Sequence, residues 1–307
     1  MLCSLQASHA VASTFYYSYE PGGSIGKIST NGIATPFVSS PSDIANALTV
    51  DSSGNIYQAN QETKTVIKVT PGGGVSDYVT SASFSNPSGL AFDTQGNLYV
   101  SDYAWVNQAS LWKVTTNGTV SLFATFSGGG ALTYNKVTGD LYAGNYIGGN
   151  VYKIDSDGTV TDVTKVQSPN ALTTDANGNV FVTSQGYNDT TPYITKITPD
   201  GQTSIFWTAG AFEGKYLNAV TFAEDGILYA TYGQDILQFS PEGTATTFAS
   251  GLGAIGLTYA ATVYEVTLTL KSSSNLTTWT PVLTNIVETQ NPQEFYKNDI
   301  SVRIKAP

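Results

Sequence analysis

Short apolar runs alternate with polar turns along most of the chain, and no segment carries the apolar period of an amphipathic helix. The apolar runs are rich in Val, Ile, Tyr and Phe. Asn-Gly, Asp-Gly and Gly-Gly pairs fill the turns, where glycine adopts a positive φ at little cost. The pattern predicts many short antiparallel strands, and the clearest pair lies in the stretch 85–102, SNPSGLAFDTQGNLYVSD.

This stretch recurs along the chain. Copies begin at Asn46, Ser88, Gly130, Asn170 and Asn218, which gives spacings of 42, 42, 40 and 48 residues. A repeat in this range is typical of propellers, solenoids and arrays. Each copy continues into a second pair of strand-like runs, so each repeat has four strands. Because a single four-stranded sheet cannot bury both faces, we expect neighbouring sheets to stack radially as propeller blades.

The two ends of the repeat region complete a ring. Residues 15–38 resemble the last three strands of a repeat, and they lack its first strand. The run 255–260, IGLTYA, resembles that missing first strand. We therefore predict an all-β fold, a six-bladed β-propeller over residues 15–260, whose closing blade joins N-terminal strands to a strand near 254–260.

The repeats resemble NHL repeats. The predicted ring is similar to the six-bladed group that contains NHL proteins, gluconolactonase/regucalcin-type hydrolases and strictosidine-synthase-like proteins. The resemblance covers roughly residues 15 to 260. Repeat motifs of this kind specify an architecture and leave the function open.

Two segments lie outside the predicted ring. Residues 1–14 end near Ala10-Val11-Ala12, a small-residue pattern like that of a signal cleavage site, but they lack a charged start and a long apolar run. We interpret them either as the remnant of a signal that starts upstream or as a leader that stays in the protein. Residues 261–307 form a tail in which apolar and polar residues alternate over 263–271.

The tail is predicted to be a small β extension. So short a segment makes a marginal core, so we expect it to dock on its own ring or on another subunit by strand pairing. The expected contact residues are the apolar side chains of the tail strands: Val263, Tyr264, Val266, Leu268, Leu270, Trp279, Phe295 and Tyr296.

Composition narrows the location and the partners. Charged residues make up 12% of the chain and the net charge is −10. Because this charge repels phosphate groups, we do not expect the protein to bind nucleic acid. No apolar run is long enough for a transmembrane segment, and the single Cys3 forms no intrachain disulfide. A surface built from Ser, Thr and Asn favours a secreted, extracellular or cell-surface protein, which we expect to be bacterial.

Histidine chemistry is disfavoured in the ring. The single histidine is His9, in the leader, so the repeats carry neither a Ser-His-Asp triad nor a histidine pair. Propeller lyases and lactonases that depend on histidine pairs, including enzymes like virginiamycin-B lyase, are therefore disfavoured. We expect that the protein is not an enzyme.

The resemblance to gluconolactonase/regucalcin-type rings implies a divalent cation at the channel mouth, held by Glu, Asn, Asn and Asp. Here the amides Asn46, Asn170 and Asn218 match in kind, and no carboxylate matches. Because Ca²⁺ prefers charged oxygen ligands, the sequence predicts no cofactor beyond a weak Ca²⁺ site. The alternative is that these asparagines bond to the turn backbone.

Acidic residues also recur once per repeat. Asp51, Asp93 and Asp175, with Asn135 in the same register, close the first strand and precede a Gly turn. Since such side chains commonly accept hydrogen bonds from turn N–H groups, we predict that they cap turns. One carboxylate per blade is not a paired acid and base.

Tyrosines follow the second strand of several repeats. Aromatic side chains near amides stack on sugars or anchor protein partners, so these residues are a candidate binding surface. The alternative is that they cover loop ends. The surface consists of Tyr19, Tyr103, Trp105, Tyr146, Tyr187, Tyr193 and Tyr232.

Together these patterns predict a secreted, non-catalytic propeller. It is expected to be a self-assembling or ligand-binding subunit of an extracellular surface structure or filament, with leader and tail making intersubunit contacts. The alternatives are a metal-dependent lactonase-type hydrolase and a glycan-binding, lectin-like propeller. If the protein binds a ligand, we expect that ligand to be a protein or a glycan.

Overall fold

The described chain consists of strands and turns, in a computed structural model that covers residues 2–19, 24–39, 45–103, 108–185, 190–273 and 280–289. Side chains are described for residues 14–19, 24–39, 47–103, 108–185 and 190–260. Among the described residues there is no helix, and thus none with the length and apolarity of a membrane span.

The strands are short except for two, which belong to the terminal parts of the chain. In chain order they are β1 (Leu2–Tyr19), β2 (Ser24–Ser29), β3 (Ala34–Val38), β4 (Ala45–Val50), β5 (Ile56–Asn60), β6 (Thr65–Val69), β7 (Val75–Thr80), β8 (Pro87–Phe92), β9 (Leu98–Asp102), β10 (Gln108–Val114), β11 (Val120–Ser127), β12 (Leu132–Tyr134), β13 (Leu141–Gly144), β14 (Asn150–Ile154), β15 (Val160–Lys165), β16 (Pro169–Thr174), β17 (Val180–Ser184), β18 (Tyr193–Ile197), β19 (Thr203–Thr208), β20 (Val220–Phe222), β21 (Leu228–Tyr232), β22 (Asp235–Phe239), β23 (Ala245–Ala249), β24 (Ala254–Ser273) and β25 (Thr280–Thr289).

The chain divides into two compact units. Residues 14–260 form the propeller unit. The described residues of the second unit are 2–13, 261–273 and 280–289. Within the second unit β25 pairs antiparallel with β24, and the sheet order places β25 at an outer edge.

Five blades of the propeller unit are continuous in sequence. Each is a four-stranded antiparallel sheet, and we number them in chain order: blade I is β4–β7, blade II is β8–β11, blade III is β12–β15, blade IV is β16–β19 and blade V is β20–β23. Blade VI takes the ring part of β24 with β1, β2 and β3, in that order. The predicted all-β, six-bladed ring with a shared closing blade is therefore confirmed.

Apolar packing between neighbouring blades holds the ring together. Six buried clusters are present among the described side chains, and each contains residues from two adjacent blades. The cluster between blades I and II, for example, packs Tyr57 and Val66 against Leu90 and Val100. The cluster between blades VI and I closes the circle.

The same irregularity occurs in every blade. In all six, the register between the third and fourth strands shifts by a bulge, as between Leu111 and Trp112 in blade II. A bulge increases the local right-handed twist of a strand pair. The repeat therefore builds strongly twisted outer strands that follow the radial geometry.

The carboxylates at the first turn of blades I, II and IV cap that turn, as predicted. Asp93 accepts hydrogen bonds from the backbone N–H groups of Gln95 (2.9 Å) and Asn97 (2.8 Å) and from the Asn97 side-chain amide (2.8 Å). Asp51 and Asp175 accept the same three kinds of bond in their own turns. These acids belong to the scaffold.

Asn135 differs from the aspartates in one respect. Its Oδ1 accepts the N–H of Val137 at 3.1 Å, and its Nδ2 donates to the carbonyl oxygen of Gly178 in the next blade at 2.8 Å. An asparagine can do both because its amide carries a donor and an acceptor. This cap therefore also joins two blades.

Truncating a residue between blades tests the importance of this packing. Phe84 is fully buried in the cluster between blades I and II, so Phe84→Ala is expected to destabilise the protein by about 3–5 kcal/mol. Urea unfolding followed by tryptophan fluorescence measures the loss. Leu122→Ala is the matched control, because Leu122 is 54% exposed and its change is expected to stay within about 0.5 kcal/mol. Equal effects of the two changes would contradict the packing argument.

Candidate functional site

The innermost strands of the six blades surround a cavity of about 500 Å³ on the propeller axis. This volume lies within the roughly 300–1,000 Å³ typical of ligand pockets. All of its described lining residues belong to the propeller unit. The wall consists of three levels along the innermost strands and a rim of residues from neighbouring turns.

The three levels follow the register of the repeat, from the start of each innermost strand inward. Their composition changes from mostly polar, through small, to aliphatic. The polar level is Ser88, Gly130, Asn170, Asn218 and Ile255, the small level is Ala47, Gly89, Ala131, Ala171, Ala219 and Gly256, and the aliphatic level is Leu48, Leu90, Leu132, Leu172, Val220 and Leu257.

The aliphatic level is the last one along these strands that contributes described lining residues, and we call it the floor of the cavity. Each of its six side chains also packs in a different interblade cluster. The floor is thus the inner surface of the core. It is rigid for the same reason that the ring is stable.

The small level depends on a missing side chain at one point. A Cβ added at Gly89 would lie 2.0 Å from the carbonyl oxygen of Gly130, which belongs to the next blade. Only glycine allows this close approach of two backbones. Blades II and III therefore meet through backbone atoms at this level of the wall.

Hydroxyl groups of the second strands fix the start of the innermost strands. Thr231 Oγ1 accepts the N–H groups of Asn218 (3.1 Å) and Ala219 (2.9 Å), and Thr183 Oγ1 accepts that of Ala171 (2.9 Å). These bonds hold the backbone that carries the polar level. The asparagine side chains are consequently presented from fixed positions.

A chain of hydrogen bonds links three blades across one side of the polar level. The Tyr146 hydroxyl donates to Gln185 Oε1, and Gln185 Nε2 donates to Asn218 Oδ1 at 2.9 Å. Asn170 Nδ2 donates to the Asn218 carbonyl oxygen at 3.1 Å. The amides are oriented by one another before any ligand arrives.

The opposite side of the mouth carries the rim residues Gln61, Asn86 and Tyr103. Asp102 supports the segment that carries Asn86: its buried carboxylate accepts the N–H groups of Ser85 (3.1 Å) and Asn86 (3.1 Å). It also accepts the indole N–H of Trp112 at 2.8 Å. Burial raises the pKa of the Tyr103 hydroxyl above its ordinary value, so this phenol stays protonated at neutral pH.

The structure separates the tyrosines that the sequence grouped as one surface. Tyr103 and Tyr146 line the cavity. Tyr232 is buried against Trp207, with ring centroids 5.6 Å apart, and Tyr19 packs beside Tyr17 at 5.5 Å. These two belong to interblade clusters.

The remaining members of that surface do not line the cavity or are not described. The Tyr193 hydroxyl accepts the Gln167 N–H at 3.0 Å and lies beside the cluster between blades III and IV. Trp105 and Tyr187 fall outside the described residues. A binding role for the tyrosines stays a prediction.

Two of the three asparagines considered for a cation lie next to each other. Asn170 points its Nδ2, a hydrogen-bond donor, at the oxygen atoms of Asn218. The side chain of Asn46 is outside the described residues. Among the described side chains there is no group of three or more His, Cys, Asp or Glu residues arranged to hold a metal.

The residues proposed for assembly belong to the second unit or to undescribed segments. Val263, Tyr264, Val266, Leu268 and Leu270 lie in β24, and their side chains are not described. Trp279, Phe295 and Tyr296 fall outside the described residues. Their contacts stay predictions.

Sequence reasoning missed the amides of the rim. Gln185 and Gln61 lie directly after a second strand, the same position in the repeat as Tyr103. The register of the repeat could therefore have predicted that these two glutamines lie at the rim. The repeat could not have predicted the hydrogen bonds from Tyr146 through Gln185 to Asn218, because they join residues of three different blades.

No protein-family model and no curated protein sequence matches this chain, so the assignment to NHL repeats stays a prediction. Solved structures do match. A chain of a nidogen/laminin complex has a TM-score of 0.66 at 16% identity, covering 82% of this chain and 98% of that one. A protein of unknown function from Bacteroides caccae has a TM-score of 0.61 at 13% identity, covering 81% and 99%.

An enzyme is also among these structures. A catalytically inactive His-to-Ala variant of virginiamycin B lyase from Staphylococcus aureus, solved with quinupristin, has a TM-score of 0.59 at 13% identity. The match covers 87% of this chain and 96% of that one. Identities this low establish a shared fold, the six-bladed propeller, and leave the function to the residues of each site.

Replacing Asp102 tests how the rim is held. In Asp102→Asn an amide N–H replaces one acceptor and faces a backbone or indole N–H, so we expect a loss of about 1–3 kcal/mol in stability. Urea unfolding measures this loss, and the indole N–H resonance of Trp112 reports the local change. Asp77→Asn on the exposed face of β7 is the control, with an expected change near zero. An unchanged Trp112 resonance would contradict the proposed support.

Proposed function

We propose that this protein is a non-catalytic propeller that binds a ligand in its axial cavity and works outside the cell as a subunit of a surface structure. The observation that carries the proposal is the neutral wall: every described lining residue is an amide, a hydroxyl, a phenol, a glycine, a proline or an aliphatic side chain. Such a wall holds an uncharged molecule without leaving a buried charge unpaired.

The chemistry of the wall favours binding over reaction. General acid and base catalysis needs groups that exchange protons near the working pH. The described wall offers phenols and amides, and burial raises the pKa of Tyr103 further from neutrality. The chain from Tyr146 through Gln185 to Asn218 instead supplies a fixed set of donors and acceptors, which is what recognition requires.

Among proteins that share the fold, one was solved with a protein partner and one with a small molecule. One was solved in a complex of nidogen and laminin, which are proteins, and one with the small molecule quinupristin. The second is a lyase whose histidine-to-alanine variant is catalytically inactive. This chain has one histidine, His9, which lies outside the propeller unit, and that difference favours a binding role.

The extracellular location is part of the proposal and is supported by composition. With 12% charged residues and abundant Ser, Thr and Asn, the surface is like that of secreted β proteins. The resemblance of the repeats to NHL repeats agrees with a role in which a ring presents one face to a partner.

Self-association is the second part of the proposal, and the edge position of β25 supports it. In the sheet order β25 pairs with β24 on one side, and no described strand follows it on the other. A free strand edge presents unpaired N–H and C=O groups to another chain. Pairing of this kind between copies extends a sheet from subunit to subunit, and an arrangement that does not close gives a filament.

Blocking the cavity mouth tests the binding function. Gln61 is a half-buried rim residue, so Gln61→Trp is expected to cover the mouth with little effect on the core. Fluorescently labelled full-length protein should bind saturably to cells of the source organism, and the variant should raise the Kd about tenfold or more. Gln202→Trp, in the exposed turn between β18 and β19, is the control and should bind as the wild type does. Equal binding by both variants would exclude the cavity.

Mass measurements test the self-association. Sedimentation velocity of the full-length chain over a wide concentration range should show a mass that increases with concentration, because strand pairing between copies follows mass action. Electron microscopy of the same samples should show rows of rings. A single monomeric species at the highest concentration would contradict this part of the proposal and leave the binding function untouched.

A further inference from the structure

We infer that the axial cavity recognises a neutral pyranose sugar that carries a methyl-bearing substituent, an N-acetyl group or a 6-deoxy carbon, and that the methyl group points at the aliphatic floor. The inference rests on the proposed binding function and specifies its ligand. It depends on charge, on the arrangement of polar groups around the wall and on the change of chemistry with depth.

Charge restricts the ligand to uncharged molecules. The described wall contains no ionised side chain, so a carboxylate, phosphate or ammonium group would lose its water without gaining a counter-charge. The protein has a net charge of −10, which adds repulsion for anions at longer range. Sialic acids, uronic acids, nucleotides and free amino acids are thereby disfavoured.

Five of the six blades supply a polar side chain to the cavity wall. Gln61 comes from blade I, Asn86 from blade II, Tyr146 from blade III, Gln185 from blade IV and Asn218 from blade V. A peptide presents its N–H and C=O groups along an extended edge. A pyranose presents hydroxyl groups around the rim of a ring, and that arrangement matches a circular wall.

Amides suit hydroxyl groups because each offers a donor and an acceptor, as each hydroxyl does. In the hydrogen-bonded chain, Gln185 Nε2 uses one of its two hydrogens on Asn218 Oδ1. Its amide plane is held in place by this bond and by the bond that Oε1 accepts from Tyr146. The wall therefore contains amides whose orientation is set before a sugar binds.

Two phenol rings stand at the mouth. Tyr103 and Tyr146 both line the cavity, and they come from blades II and III. The C–H face of a sugar ring packs on aromatic surface, and the Tyr hydroxyl stays at the polar edge. The mouth thus provides an apolar face and polar ends in the combination that a sugar ring requires.

Depth selects the methyl group. Below the amides the wall has alanine and glycine, which leave room, and then six aliphatic side chains, which offer no hydrogen bond. A hydroxyl placed against this floor would be buried without a partner. A methyl group there gains apolar contact instead with the part of Leu172 or Leu132 that lines the cavity.

Matched sugar pairs test the inference on the full-length wild-type protein. Calorimetric titrations with methyl glycosides compare two pairs: N-acetylglucosamine with glucose, and L-fucose with L-galactose. The first member of each pair carries the methyl group under test. The methyl-bearing member of at least one pair should bind about tenfold tighter or more, because one buried methyl group discriminates by that order. Glucuronic acid should not bind. Equal binding within both pairs, or tighter binding of the acid, would overturn the inference.

Saturation-transfer NMR on the wild type locates the methyl group without any substitution. The methyl protons of the bound sugar should receive the strongest transfer, since they contact the aliphatic floor. Gln185→Met removes an amide of the wall at similar side-chain length and should weaken sugar binding about tenfold, with Gln202→Met as control. Strongest transfer to ring protons, with weak transfer to the methyl group, would overturn the proposed orientation.

The cell-binding assay separates failure of this inference from failure of the proposed function. If Gln61→Trp abolishes cell binding and periodate treatment of the cells does so as well, the ligand is a glycan. If Gln61→Trp abolishes binding but only protease treatment of the cells matches it, the ligand is a protein, and the sugar inference is wrong while the binding function stands. If Gln61→Trp has no effect, the cavity is not the binding site.

Discussion

The need to bury both faces of every four-stranded sheet determines the rest of this structure. No blade has a second layer of its own, so each must pack against two neighbours. Six interblade clusters bury these faces, and together they form a ring. The innermost strand of each blade contributes one aliphatic residue both to a cluster and to the cavity floor. Core packing and the shape of the cavity are therefore set by the same side chains.

The scaffold repeats around the ring and the cavity mouth does not. Caps such as Asp93 and the outer-strand bulges recur from blade to blade because every blade makes the same turns and the same twist. At the mouth, by contrast, blades III to V supply a hydrogen-bonded phenol and amide chain, while blades I and II supply Gln61 and Asn86. An asymmetric site on a nearly symmetric scaffold recognises an asymmetric ligand in one orientation.

One structure of similar fold comes from a complex of two proteins and another was solved with a small molecule, so the fold by itself does not determine the kind of ligand. What distinguishes this chain is a neutral wall with a graded change from amides through small residues to aliphatic side chains. Asp102 is buried, accepts three N–H groups and does not belong to the described lining of the cavity, so it holds the segment that carries Asn86. The acidic residues that give the protein its net charge of −10 do not belong to the described lining of the cavity.

The sequence alone determined the number of blades, their strands, the shared closing blade and the capping role of Asp93, because turns, strand alternation and repeat length are local or periodic properties. It grouped Tyr103 with Tyr232 as one surface, although Tyr103 lines the cavity and Tyr232 is buried against Trp207. Only the tertiary structure decided that Gln185 joins Tyr146 to Asn218, since these residues come from three blades. Contacts across blades depend on ring closure, which no single repeat encodes.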